Sequence, residues 1–259
     1  MKFSLKTLAA AVVMAAAASS SFAAIDSGAG GNGELFFSAW DGSSSYNYDM
    51  NMTIDAFEAA KNADGYLNLV WGSDFSSSFA SWASTATAAT LSWNIMATDA
   101  VGARRILSTV SNVNVLPATN KDGATLRTAA GNVRDYATAV NGIIVGDSAV
   151  TEGTSAASYA GKMGAKVYDK FNFDTTGNLA ANDYDNGVVF QKTAVNSTGT
   201  AAGINAAYVD ETVAVRAWVG SDNTLHIAAM PVPEPESYAM LLAGLGMIGF
   251  VARRRNERA

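Results

Sequence analysis

Residues 43–57 read SSSYNYDMNMTIDAF, and from Tyr46 to Asp55 apolar and polar side chains alternate without interruption. The apolar positions are Tyr46, Tyr48, Met50, Met52 and Ile54. Successive side chains of a β-strand point to opposite faces, so a period of two places all these apolar residues on one face. The stretch therefore predicts a strand that buries one face of a sheet.

Other parts of the chain predict further strands and a few helices. Runs rich in β-branched and aromatic residues cover 33–41, 66–71, 90–98, 104–110, 188–195, 212–220 and 224–230. Apolar residues recur at helical spacing in 73–84 and 124–140, and a third helix is predicted over 155–170. These elements predict a mainly β protein, an antiparallel β-sandwich with a helical insertion at about 124–170. A mixed α+β layer fold is the alternative.

The composition excludes several classes of function. The chain has 259 residues, of which 15% are charged, whereas roughly a quarter is usual in globular domains. It has no cysteine, which excludes disulfides and thiolate metal sites. Apart from two lysines in residues 1–23, and four arginines and three glutamates in 233–259, the body holds 11 basic and 20 acidic residues. Such an acidic body argues against nucleic acid as a partner.

The first 23 residues have the features of a secretory signal peptide. Lys2 and Lys6 precede an apolar run over 8–18, and the small residues Ser21 and Ala23 follow. This order predicts cleavage by signal peptidase between Ala23 and Ala24.

The last 27 residues predict a short membrane anchor. Pro233 and Pro235 favour an extended stretch, and residues 238–252 carry no charge. A helix over those 15 residues is about 22 Å long, shorter than the hydrocarbon core of a bilayer. The arginines that follow are expected to stay on the cytoplasmic side, which leaves the body outside. A short single transmembrane helix of this kind suits a transient anchor in the inner membrane.

This segment resembles the PEP-CTERM sorting signal of Gram-negative bacteria. The matching residues are Pro233, Glu234, Pro235, Arg253, Arg254 and Arg255, with an apolar helix between the two groups. The resemblance implies processing by an exosortase-type enzyme, and export in bacteria that make exopolysaccharide and biofilms. It also implies a final location at the cell surface or in the extracellular matrix. An ordinary single-pass tail anchor is the alternative.

The sequence accordingly predicts a signal peptide over 1–23, an exported β-rich domain over 24–232 and a sorting signal over 233–259. Catalytic motifs are scarce in the domain. Two stretches, 28–33 (GAGGNG) and 244–249 (GLGMIG), match the dinucleotide fingerprint, but neither lies between a strand and a helix. His226 is the only histidine, and no nucleophile-elbow motif accompanies it. We therefore expect no cofactor and no enzymatic activity.

The sequence leaves three hypotheses about binding or catalysis open. Asp174, Asn178, Asp183 and Asp185 lie in one polar stretch and are weak calcium candidates, with a loop of Asx turns as the alternative. Trp40 and Trp71, each followed closely by a predicted loop, are candidates for stacking on glycan rings, although tryptophan more often fills a core. Paired carboxylates, of which a body with 20 acidic residues offers many, leave a hydrolase possible.

The favoured function is a non-enzymatic surface or matrix protein associated with exopolysaccharide. A carbohydrate-binding or adhesive module is the second hypothesis, and a hydrolase that uses carboxylates or His226 is the third.

Overall fold

A computed structural model describes residues 24–62, 67–101, 105–110, 123–168, 184–185, 187–194, 204–207 and 213–231. The predicted signal peptide and the predicted transmembrane helix lie outside the described residues.

The described residues form ten strands and three α-helices. The strands are Glu34–Trp40 (β1), Ser44–Thr53 (β2), Leu67–Trp71 (β3), Ser92–Thr98 (β4), Arg105–Val110 (β5), Ser148–Glu152 (β6), Val188–Ala194 (β7), Ile204–Ala207 (β8), Val213–Val219 (β9) and Leu225–Pro231 (β10). The helices are Ile54–Asn62 (α1), Ser73–Ala83 (α2) and Gly123–Asn141 (α3).

All ten strands belong to one antiparallel sheet. Its order is β3-β10-β9-β7-β5-β4-β1-β2-β6, and β8 pairs with β7 beside this path. The prediction of a mainly β, antiparallel fold is confirmed.

The sheet curls around an inner apolar core, which takes the place of the two facing sheets of a sandwich. Eight of its strands turn apolar side chains to this inner face, where α2 adds Phe75, Phe79 and Trp82. The indole Nε1 of Trp71 on β3 donates a hydrogen bond to the carbonyl oxygen of Met50 on β2, 3.1 Å away. Strands far apart in the sheet order therefore meet, because the twist of a long sheet accumulates until the sheet curls.

Helix α3 covers part of the outer face of the sheet. Its apolar side packs against outer-face residues such as Phe36, Met96 and Ile106. The hydroxyl of Tyr136 donates to Oδ1 of Asn47 at 2.5 Å, so the helix is also joined to β2 by a buried hydrogen bond. Two polar positions of the alternating stretch, Asn47 and Asp49, are buried too, whereas Asn51 is exposed, so most of β2 is inaccessible on both faces.

The helical insertion is shorter than the predicted range of 124–170. Helix α3 occupies its first half, but residues 148–152 form strand β6, which pairs with β2. Residues 160–168 form a 3₁₀ turn and a π turn instead of a regular α-helix. Strand β6 has only five residues, and its conformation depends on backbone hydrogen bonds to β2 that no local pattern in the sequence reveals.

The glycine-rich stretch 28–33, which matches the dinucleotide fingerprint, is a packed turn. Gly28 has a φ of 71°, and a Cβ at this position would overlap the carbonyl oxygen of Thr98. Its own carbonyl oxygen accepts a hydrogen bond from the Ala100 N–H at 2.9 Å, and the Gly33 N–H donates to the Asp99 carboxylate at 3.2 Å. The glycines of this stretch therefore close a tight turn against the segment that follows β4.

Candidate functional surface

The outer face of strands β3, β9 and β10 carries exposed and half-buried side chains. Along β9, Val215, Ala217 and Val219 are buried in the inner core. The alternate positions Arg216 and Trp218 therefore point outward, and both are half-buried. This part of the outer face therefore presents aromatic and charged groups together.

Three rings lie in a row on this face: Tyr184, Trp218 and His226. We call these three residues the aromatic row. The hairpin between β9 and β10 sets Trp218 directly opposite His226, and their rings stack with centroids 4.9 Å apart and planes 5° apart. Tyr184 meets Trp218 edge to face at 5.9 Å. On β3, Val70 stands opposite His226 and is 44% exposed, so an exposed aliphatic side chain lies next to the end of the aromatic row.

Arg216 fixes one end of the aromatic row. Its guanidinium lies 5.7 Å from the ring centroid of Tyr184, within the range of a cation–π contact. Nη1 of the same group donates to the carbonyl oxygens of Asp185 at 3.0 Å and Gly187 at 3.1 Å. These bonds hold the turn that bears Tyr184 against β9.

The titration of His226 is set by its packing. Partial burial lowers the pKa of the imidazole, and the nearby Asp222 carboxylate opposes this shift. Asp222 itself accepts a hydrogen bond from the Thr224 N–H at 3.0 Å, which lowers the pKa of its carboxyl group. At neutral pH the aromatic row therefore ends in an uncharged imidazole that can both donate and accept hydrogen bonds.

Two observations concern membrane-spanning helices and protein export. Within the described residues, none of the helices is both long enough and apolar enough to cross a bilayer. Residues 231–255 match the family described as PEP-CTERM protein-sorting motif. The chain carries a PEP-CTERM sorting motif. No curated protein and no solved structure matches the chain.

The PEP-CTERM motif has direct consequences for processing. It makes the chain an exported protein whose precursor is anchored in the membrane and is a substrate for an exosortase-type enzyme. The predicted sorting residues Pro233, Glu234, Pro235 and Arg253–Arg255 fall within the matched range. They lie outside the described residues, so the PEP-CTERM motif is established here by its sequence.

The predicted signal cleavage site lies close to Ile25, a buried residue that helix α3 holds in place. Ala23 is outside the described residues, whereas Ala24 is described and exposed. Ile25 is buried, and the side-chain amide of Asn141 on α3 makes two hydrogen bonds to its backbone, both 2.9 Å long. The residues that follow the predicted scissile bond are therefore part of the folded domain, and cleavage there stays a prediction.

The two tryptophans predicted to stack on glycans are not part of the aromatic row. Trp71 is only 8% exposed, and its Nε1 is bonded to Met50 within the inner core. A buried indole cannot receive a sugar ring, so Trp71 is better explained as a core residue. Trp40 is half-buried and packs against the core beneath α3, and its role toward glycans stays a prediction.

The sequence did contain a signal for the aromatic row. Residues equally distant from the centre of the turn 220–224 face each other in the hairpin, which pairs Trp218 with His226. His226 is partly exposed, and its strand β10 lies between β3 and β9 in the sheet.

The predicted calcium ligands are only partly described. Asp185 is exposed, and its backbone carbonyl is bonded to Arg216. Asp174, Asn178 and Asp183 lie outside the described residues, so calcium binding stays a prediction. In the part of the chain that the structure describes, no group of three or more histidine, aspartate or glutamate side chains is arranged to hold a metal ion.

One buried carboxylate has a structural explanation. Burial by itself would raise the pKa of Asp41, but N–H groups of Ser44, Thr87 and Ser43 donate to it and together lower the pKa well below its usual range. These bonds, 2.8 to 2.9 Å long, join the β1–β2 turn to the segment after α2. Asp41 is therefore a charged turn residue with its acceptors occupied.

Proposed function

We propose that the exported domain is a non-enzymatic structural component of the extracellular matrix that contacts secreted polysaccharide. The PEP-CTERM motif at residues 231–255 supports this proposal, because it is the sorting motif of an exported protein. The acidic, cysteine-free composition is compatible with such a location. Release of new reducing ends from the host polysaccharide by the purified domain would instead favour the hydrolase hypothesis.

Sorting is tested by changing the PEP-CTERM motif and measuring the protein recovered from culture. We expect replacement of Pro233, Glu234 and Pro235 by alanine to leave most of the protein in the membrane fraction at the size of the anchored precursor. The physical reason is that the processing enzyme then meets no recognition motif outside the apolar segment. Intact-mass measurement of membrane and extracellular fractions distinguishes the species.

Glu236→Gln is the matched control, because it changes a neighbouring acidic residue and leaves the three motif residues intact. An alanine variant that reaches the medium with the same mass and yield as the unaltered protein contradicts the proposal. The same masses locate the N-terminus, which we expect at Ala24.

Polysaccharide contact is proposed at the aromatic row. Tyr184, Trp218 and His226 combine apolar ring area with hydrogen-bonding groups at their edges, and Arg216 adds a positive charge to an acidic domain. Amphipathic aromatic residues and arginine are enriched where proteins bind partners. A polymer that lies across β9 and β10 would contact all of these groups at once.

Replacement of Trp218 by alanine tests this contact. We expect the affinity of the Trp218→Ala domain for the host exopolysaccharide, measured by affinity electrophoresis, to fall about tenfold. A loss of this size is usual for a central aromatic contact. Trp218→Phe keeps a ring against His226 and is expected to retain most of the binding. Thr128→Ala, on the exposed side of α3, serves as the distant control. Equal retardation of the alanine variant and the unaltered domain would exclude the aromatic row as the contact.

A further inference from the structure

The strands of the sheet end on two opposite sides of the domain. Because every pairing is antiparallel, the first residue of each strand lies on the same side as the last residue of its neighbour. We call the side next to helix α1 the α1 end and the opposite side, next to helix α2, the α2 end. The strand termini at the α1 end include Glu34, Thr53, Leu67, Thr98, Arg105, Ala194, Val213 and Pro231.

Helix α1 closes the inner core at the α1 end. It follows β2 directly, and its Phe57 is fully buried, with a ring centroid 5.0 Å from that of Phe190 on β7. Nη2 of Arg105, the first residue of β5, donates to the Asp55 carboxylate on the helix at 2.7 Å. The helix is therefore fixed across this end, and exposed residues such as Ala59 form its outer surface.

Helix α2 closes the α2 end. The indole Nε1 of Trp82 donates to Oγ of Ser44, the first residue of β2, at 3.0 Å. Oγ of Ser76 donates to the carbonyl oxygen of Asp222, in the hairpin between β9 and β10, at 2.7 Å. Ser77 is an exposed residue of this helix. The two helices consequently mark opposite sides of the domain.

Both terminal segments join the domain at the α1 end. Pro231 is the last residue of β10, and it pairs with Val213, the first residue of β9. The N–H of Glu34 donates to the carbonyl oxygen of Asp26 at 2.9 Å, so the chain that follows the predicted signal cleavage site also lies at this end. The PEP-CTERM motif therefore begins at the α1 end, where β10 leaves the sheet.

The connection between the domain and its membrane anchor is short. Tyr238, the first residue of the predicted transmembrane helix, is seven residues after Pro231. Fully extended, this connection reaches at most about 25 Å. A compact domain of about 200 residues is about 40 Å across. The connection is therefore too short to pass along the side of the domain and bring the α2 end to the membrane.

We propose that the α1 end faces the lipid headgroups of the membrane in the anchored precursor, and that the α2 end points away from them. The short connection imposes this orientation, so it needs no attraction between lipid and protein. Trp218 and His226 lie one residue from Val219 and Leu225, the strand termini at the α2 end. The anchored precursor therefore already presents the aromatic row to the extracellular side. The orientation itself does not rest on the proposed contact with polysaccharide.

Energy transfer between the domain and labelled lipid tests the orientation. The chain has no cysteine, so one introduced cysteine can carry a donor dye. Ala59→Cys places the dye on α1, and Ser77→Cys is the matched variant at an exposed position of α2. The full chain is purified from a host that lacks an exosortase-type enzyme and is reconstituted into phospholipid nanodiscs with an acceptor dye on the lipid headgroups. We expect several-fold more transfer from the Ala59→Cys dye, because transfer falls steeply with distance.

A longer connection supplies an independent measurement. An insertion of about 20 glycine and serine residues between Val232 and Pro233 adds a flexible linker with an r.m.s. length of about 25 Å and a full extension of about 70 Å. The domain can then turn over above the membrane. The ratio of transfer from the two labelled positions should therefore fall close to one.

Two outcomes contradict the proposal. Equal transfer from the two labelled positions without the insertion, or more transfer from the Ser77→Cys dye, shows that the α1 end does not face the membrane. A ratio that the insertion leaves unchanged shows that attraction to lipid, and not the short connection, sets the orientation. The nanodiscs contain neither polysaccharide nor processing enzyme, so failure of the proposed matrix function would not alter either result.

Discussion

Phe37→Ala is expected to lower the free energy of unfolding by about 4 kcal/mol, because it removes the ring on which the inner core converges. Phe37 is fully buried on β1. Its ring centroid lies 5.0 to 6.3 Å from those of four other buried aromatic residues. These neighbours are Tyr46 on β2, Phe75 and Phe79 on α2, and Trp93 on β4. Loss of the ring leaves a cavity that these large side chains, held by three different elements, cannot close.

Urea denaturation of the purified domain, followed by tryptophan fluorescence, measures this change. Phe37→Leu is the matched control, because it keeps most of the volume and is expected to cost less than about 1.5 kcal/mol. Ser81→Ala changes an exposed position on α2 and should shift the stability by no more than about 0.5 kcal/mol. If Phe37→Ala and Phe37→Leu unfold at the same urea concentration, the aromatic cluster is not the centre of the core.

Asp49→Asn is expected to stabilise the protein at pH 8 and to remove much of its pH dependence. Asp49 lies on the outer face of β2 and is fully buried. One carboxylate oxygen accepts a hydrogen bond from the Asn51 N–H at 2.9 Å, whereas Oδ2 is buried without a hydrogen-bond partner in the described structure. Burial raises the pKa of Asp49 to about 7, the Asn51 N–H opposes this shift, and the negative charges of Glu34 and Asp147 add to it.

The sign of the effect follows from proton uptake. An unfolded aspartate has a pKa of about 3.9, so between this value and about pH 7 the folded protein holds a proton that the unfolded chain has lost. The stability that Asp49 contributes is therefore full below pH 4 and is lost as the pH rises through 7. A shift of about three pKa units corresponds to about 4 kcal/mol. Burial also raises the pKa of Glu34, which acts in the same direction.

Chemical denaturation at pH 5 and pH 8 tests this prediction. Asparagine retains an oxygen for the Asn51 N–H and carries no charge, so Asp49→Asn should gain about 2–4 kcal/mol over the unaltered protein at pH 8 and much less at pH 5. Asp135→Asn, at an exposed acid on α3, should leave the pH dependence unchanged. A variant at Asp49 that loses stability between pH 5 and pH 8 as steeply as the unaltered protein would show that another group carries the effect.

Much of the architecture was predictable from local pattern. The alternation in 43–57 predicted β2, and the helical spacing of Phe75, Phe79 and Trp82 predicted the buried side of α2. The polar positions Asn47 and Asp49 of β2, which the local pattern places opposite the apolar face, are nevertheless fully buried. The reason is that α3, from a distant part of the chain, packs on this side of the sheet, where the Tyr136–Asn47 hydrogen bond joins it to β2.

The sequence by itself determined the export signal, the antiparallel β class and the apolar faces of the strands. Each of these depends on residue order within one short segment, and a linear pattern records that order completely. Only the tertiary structure decided that the sheet curls until Trp71 reaches Met50, that β6 becomes an edge, and that Trp218 stands beside His226 and Tyr184. These features arise from pairings between segments distant in the chain, whose free energy comes from burial and backbone hydrogen bonding between partners that neither segment specifies alone.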